Sequence, residues 1–146
     1  MEMTSKVICN EGDAIICEAP SFIGSLNAFR SYNAKLVGIP ADDEGMRLAL
    51  LEDALKKNPR TAFIYLIPNF QNPTGKTMSL QRRKDILSLA YKYKVLILED
   101  NPYGDLRFSG EDVDSIKKYD TDGLVIYCGT FSKVLAPGIR VGYVLA

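Results

Sequence analysis

The chain has 146 residues, 47% of them apolar and 25% charged, a composition that suits one globular domain with a real hydrophobic core. Eighteen Lys and Arg balance eighteen Asp and Glu, so no whole-chain electrostatic footprint for nucleic acid or a membrane surface exists. Histidine is absent, which excludes Ser-His-Asp and Cys-His catalysis and removes the commonest transition-metal ligand.

Residues 1–9 suit the tail of a helix, followed by a turn at Asn10-Glu11-Gly12-Asp13. Ala14-Ile15-Ile16-Cys17 reads as a short buried strand leading to Pro20, after which Ser21 is expected to cap a helix over residues 22–31. That helix carries Phe22, Leu26 and Phe29 at helical spacing. Residues 34–39 form the next expected strand, closed by Pro40, and Asp42-Asp43-Glu44-Gly45 a loop. Leu48, Leu51 and Leu55 set a helical period that Asn58-Pro59 stops. Ala62-Phe63-Ile64-Tyr65-Leu66-Ile67 is a continuous apolar strand, as expected where a parallel sheet is covered on both faces.

Ser79 then caps a long helix with Ile86, Leu87, Leu89, Ala90 and Tyr93 on its apolar side. Val95-Leu96-Ile97-Leu98-Glu99 is another buried strand. Residues 109–122 are polar and predict an irregular excursion over the surface. Leu124-Val125-Ile126-Tyr127-Cys128 is a further buried strand, and residues 140–146 alternate toward a last one. The alternation of strands and helices argues an α/β fold with a mainly parallel sheet.

Three cysteines, Cys9, Cys17 and Cys128, lack any Cys-x-x-Cys spacing, so neither a disulfide framework nor a metal site is expected. No apolar run is long enough for a membrane span. The opening residues carry no secretory signal, and the expected address is the cytoplasm.

The stretch after Cys128 carries the chemistry. Thr130 and Ser132 supply hydroxyls and Arg140 a guanidinium, a set suited to an anion rich in acceptor oxygens such as phosphate. Lys133, if held out of bulk water, can lose its proton and attack a carbonyl carbon. Phosphate and aldehyde on one small molecule describe pyridoxal 5'-phosphate (PLP). In open α/β sheets ligands sit beyond the carboxyl ends of the strands. Four strand exits here bear unusual residues, at Pro20 to Phe22, at Asn72-Pro73-Thr74-Gly75, at Asp100 to Tyr103 and at Thr130 to Lys133. Each alone has an ordinary explanation as core, turn or cap. Their joint arrival at one edge of a sheet does not.

Asn72-Pro73-Thr74-Gly75, Glu99-Asp100-Asn101-Pro102-Tyr103, and Ser132-Lys133 followed by Arg140 resemble the three spaced signatures of fold-type-I PLP-dependent aminotransferases of class I/II. The resemblance is nearest to the 2-aminoadipate and kynurenine aminotransferase subgroup. It implies a three-layer α/β/α domain, of which residues 1–146 are part, with the N-terminal phosphate loop and the C-terminal small domain absent. It also implies transfer of an amino group between an amino acid and a 2-oxo acid, and a homodimer when the protein is full length; the fragment alone is expected to be inactive. Catalytic roles fall to Lys133, which would bond covalently to PLP and then move the substrate proton, and to Asp100 and Tyr103. Asp100 would face the pyridine nitrogen, Asn72 and Tyr103 the phenolic oxygen, Phe22 the ring face, and Thr130, Ser132 and Arg140 the phosphate. The resemblance further predicts a cis Asn72-Pro73 bond. The alternative function is a PLP-binding sensor domain of a winged-helix transcriptional regulator. A nucleotide-binding reading lacks its glycine-rich loop, and Ser115-Ile116-Lys117-Lys118 matches a Ser-x-x-Lys pattern without its companion motifs.

Overall fold

A computed structural model describes residues 1–146. Its strands are the apolar runs of the sequence: β1 (Ala14–Ala19), β2 (Lys35–Pro40), β3 (Thr61–Leu66), β4 (Leu96–Asn101), β5 (Val125–Thr130) and β6 (Gly142–Leu145). They form one sheet in the order β2-β1-β3-β4-β5-β6. The first five run parallel and β6 pairs antiparallel with β5. Helices α1 (Glu2–Ile8), α2 (Ile23–Arg30), α3 (Leu48–Lys57) and α4 (Leu80–Tyr93) cover it. None is long and apolar enough to cross a membrane.

Side chains alternate across a strand, and here each face meets its own layer. Ile16, Ile64, Leu66, Ile97 and Val125 pack with Leu51, Ala54 and Leu55 of α3 and Ile86, Leu87 and Ala90 of α4. Ile15, Cys17, Phe63, Tyr65, Ile67, Leu98 and Cys128 pack on the other face with Phe29 of α2, and with Met1 and Ile8 at their margin. Two cores on one sheet make the expected three-layer α/β/α domain. They also explain why β1, β3 and β4 read as unbroken apolar runs rather than alternating ones.

Local chemistry sets the start of α4 and the end of α3. Ser79 Oγ accepts a hydrogen bond from the Arg82 amide at 3.2 Å and caps α4 as expected. Asn58 closes α3 just before Pro59. The expected cap at Ser21 does not form. Phe22 occupies the cap position of α2, no side chain caps it, and Ser21 Oγ is buried without a partner.

Residues 109–122 contain no long element, as expected, but they are more than a surface excursion. Ile116 is buried in the α3/α4 core. Its amide and that of Lys117 each donate to the Glu99 carboxylate at 2.9 Å. Glu99, fully buried at the end of β4, needs such donors, and the polar segment folds inward to provide them. All three cysteines are free thiols.

Candidate active site

Beyond the carboxyl ends of β4 and β5, on the α1/α2 face, lies a cavity of about 580 Å³. All eight residues singled out in the sequence line it: Phe22, Asn72, Asp100, Tyr103, Thr130, Ser132, Lys133 and Arg140. They come from the exits of β1, β3, β4 and β5 at the same edge, because parallel strands deliver their exits to one side.

The loop after β3 is held by Gln71. Its side-chain amide donates to the Pro20 carbonyl at 2.8 Å, and its oxygen accepts from the Thr74 amide at 2.9 Å and the Thr74 hydroxyl at 2.7 Å. One side chain thus joins the loop that bears Asn72 to the loop that bears Phe22. Asn72-Pro73 is cis, as expected, and Ala19-Pro20 is cis as well. Asn72 Nδ2 donates to Tyr103 Oη at 3.3 Å, so the two groups expected to serve one oxygen are neighbours. Phe22 turns its ring over Gly24, where any Cβ would lie 2.6 Å from Cζ. With 39% of its surface exposed, its ring faces the cavity, whereas Phe29 of the same helix is buried.

Asp100 is half-buried at the end of β4. Desolvation raises its pKa, and a hydrogen bond donated by Tyr65 Oη to Oδ2 at 2.8 Å partly offsets this. Oδ1 accepts nothing from the chain. Tyr65 is fully buried, and Ser25 Oγ lies 2.9 Å from its hydroxyl. Neither Tyr65 nor Ser25 stands out in the sequence. Tyr65 sits in an apolar run, and its signal is only that a buried phenol needs a polar partner. The nearby Cys128 thiol is pushed up to about 11 by burial and then by Asp100, so it is neutral and not a nucleophile.

At the exit of β5, Thr130 Oγ1 donates to Ser132 Oγ at 3.0 Å and accepts from the Ser132 amide at 3.1 Å. Arg140, at φ 51°, presents a guanidinium with no hydrogen bond or ion pair. Tyr143, which the sequence did not single out, lies against Gly129 across the β5/β6 pair. A Cβ at Gly129 would clash with the phenol end of its ring.

Lys133 departs from expectation. It lines the cavity, with Nζ 5.9 Å from the centre of the Tyr103 ring, but the side chain is exposed rather than held out of water. The cause is local: residues 133–141 are all exposed, and nothing in the chain packs over the turn.

The donor set fits PLP. An aromatic face, an open carboxylate oxygen, a free guanidinium with two hydroxyls, and a primary amine surround one cavity. No cluster of metal-ligating side chains occurs.

Comparison with known proteins agrees. Residues 2–146 match the family described as aminotransferase class I and II. Aromatic-amino-acid aminotransferase 1 of Thermococcus litoralis is 49% identical over 150 residues, which cover 100% of this chain and 36% of that protein. An uncharacterized HTH-type transcriptional regulator of Bacillus subtilis is 39% identical over 143 residues, 98% of this chain and 29% of the regulator. The solved structure of Pyrococcus horikoshii kynurenine aminotransferase in complex with PMP superimposes with a TM-score of 0.93 at 44% identity, over 98% of this chain and 36% of that one. The chain spans about a third of the length of the curated relatives it matches.

Proposed function

The chain belongs to the aminotransferase class I and II family, and on that premise we propose that the full-length protein is a PLP-dependent aminotransferase moving an amino group between an amino acid and a 2-oxo acid. The observation that carries the reading is the convergence of eight side chains of matching chemistry on one cavity of about 580 Å³. When bound, PLP supplies an aldehyde carbon that can carry the amino group and a ring that can take up an electron pair.

The chain's own residues do the rest. Lys133 Nζ holds the cofactor and takes and returns the substrate's α-proton. Asp100 faces the ring nitrogen and favours its protonated form. Asn72 and Tyr103 serve the phenolic oxygen as an adjacent pair. Phe22 covers the ring face. Thr130, Ser132 and Arg140 bind the phosphate, Arg140 through its planar fork. Residues 1–146 are part of the cofactor-binding domain, and the functional unit is a cytoplasmic homodimer.

The test is made on the full-length protein with added PLP. The visible absorbance band of lysine-bound cofactor is expected in the wild type and absent in Lys133→Ala. Transamination should be measurable with aromatic amino acids or kynurenine as first donors and a 2-oxo acid as acceptor. A band that persists unchanged in Lys133→Ala refutes the role of that lysine. A PLP-loaded wild type that transfers no amino group to any 2-oxo acid favours the sensor alternative.

A further inference from the structure

We propose that Tyr65 and Ser25 are positioning residues for Asp100, a buried two-step hydrogen-bond relay that keeps one oxygen of that carboxylate occupied and leaves the other for the cofactor. The inference rests on the PLP reading above and deepens it. Tyr65 lies one residue from the carboxyl end of β3, where the register pairs it with Leu98. Asp100 is two residues beyond Leu98, so the strand period returns its side chain to the same face. The phenol spans that diagonal, Oη to Oδ2 at 2.8 Å. Ser25, 2% exposed in the first turn of α2, reaches the same hydroxyl at 2.9 Å.

The direction of the relay follows from the donor inventory. An ionised carboxylate only accepts, so the phenol proton goes to Asp100 and the serine proton goes to Tyr65. Tyr65 stays a donor because burial raises its own pKa, with the Asp100 charge adding to the effect. The ring cannot swing away. Phe29 meets it edge to face at 5.1 Å between centroids and meets Phe63 likewise at 5.4 Å. Both Tyr65 and Ser25 lie on secondary structure rather than in loops, which is how a site holds a group to a narrow geometry.

The other groups facing Asp100 do not substitute for the relay. Cys128, its register partner on β5, is a neutral thiol. Tyr103, Lys133 and Arg140 line the cavity, but none donates to Asp100, and the chain's amino terminus acts on it only through its charge. Tyr65 is the one hydrogen-bond donor the carboxylate has.

The experiment uses the full-length protein and PLP itself as probe, with Tyr65→Phe, which keeps the ring and its packing. Spectroscopic titration should give a PLP dissociation constant raised about tenfold, the scale of one lost hydrogen bond to a charged group. The acid limb of PLP binding should also move to higher pH. Without the phenol donor the carboxyl protonates more readily, so the anion that meets the ring nitrogen is lost sooner as pH falls. Ser25→Ala should shift both quantities the same way by less, and serves if Tyr65→Phe does not fold. In an Asp100→Asn background, Tyr65→Phe should cost nothing further, because the coupling partner is gone. A dissociation constant and acid limb that match the wild type in both single variants overturn the relay while PLP binding stands. A wild type that binds no PLP overturns the relay and the proposed function together.

Discussion

Arg83 is the side chain whose loss should be felt most. Its guanidinium is fully buried on α4, and all five of its N–H donors are used. Nε donates to the Met78 carbonyl at 3.0 Å, Nη1 to the carbonyls of Val113 and Asp114 at 3.3 and 3.0 Å. Nη2 donates to the Pro68 carbonyl at 3.0 Å and to Asn69 Oδ1 at 2.7 Å. Burial pulls its pKa down to about 10, with the Glu99 charge opposing this, so the cation persists at neutral pH. Arg83→Met keeps the stem and much of the volume but strands four acceptors, the Pro68 carbonyl keeping the Met78 amide at 2.8 Å. At about 1 kcal/mol for each unsatisfied acceptor, the low end of the range, the sum is about 4 kcal/mol. Water entering beside Val113 and Asp114 recovers part of it, leaving an expected loss of about 3 kcal/mol. Urea unfolding of the full-length protein measures the loss, and hydrogen exchange should show the Ile116 and Lys117 amides opening more readily. A loss below about 1 kcal/mol with unchanged exchange would mean that Arg83 does not tie these segments together.

Two other side chains give distinct signals. Burial raises the Glu18 carboxyl from 4.5 to about 7 against the lowering effect of hydrogen bonds from the Ile67 amide and from Gln71. Because the folded value is the higher one, the stability it confers is intact below about pH 4.5 and is lost as pH rises through about 7, a span worth about 3 kcal/mol at most. Glu18→Gln, which cannot ionise, should flatten that part of the stability–pH profile measured between pH 5 and 8, and an unchanged slope would refute it. Arg140→Lys keeps the charge but loses the planar fork, so PLP titration should show binding weakened about tenfold, with a wild-type constant as the contrary result.

The parts of this structure that the sequence disclosed are those governed by short-range rules. Ser79 and Asn58-Pro59 bound their helices as local chemistry requires, and β3 and β4 appear where apolar runs are long enough to be covered twice. The site residues were legible for a topological reason: each sits near or beyond the carboxyl end of a parallel strand, and a parallel sheet delivers all such exits to one edge. The buried polar groups were not legible. Arg83 falls among apolar positions of α4, where a periodicity count treats it as noise, and Tyr65 counts as one more large apolar residue. Ser21 fails as a cap because Phe22 holds the cap position and turns its ring to the cavity. Lys133 was expected to be sheltered, but shelter depends on what packs over the turn, and no local pattern encodes that.

One pentapeptide shows how far strand geometry divides labour between neighbours. In Glu99-Asp100-Asn101-Pro102-Tyr103 the period of two sends Glu99 and Asn101 to the α3/α4 face and Asp100 to the cavity. Glu99 accepts from the Ile116 and Lys117 amides. Asn101 accepts from Asn69 Nδ2 at 2.9 Å and donates to Tyr127 Oη at 2.7 Å. Asn69 is in turn held by Arg83. The backbone that presents Asp100 to the cavity is therefore fixed from behind, on both sides of that residue, by groups that never touch the site. The motif is dense in polar residues because a carboxylate that must hold its position at a strand end needs anchors on the face opposite its own.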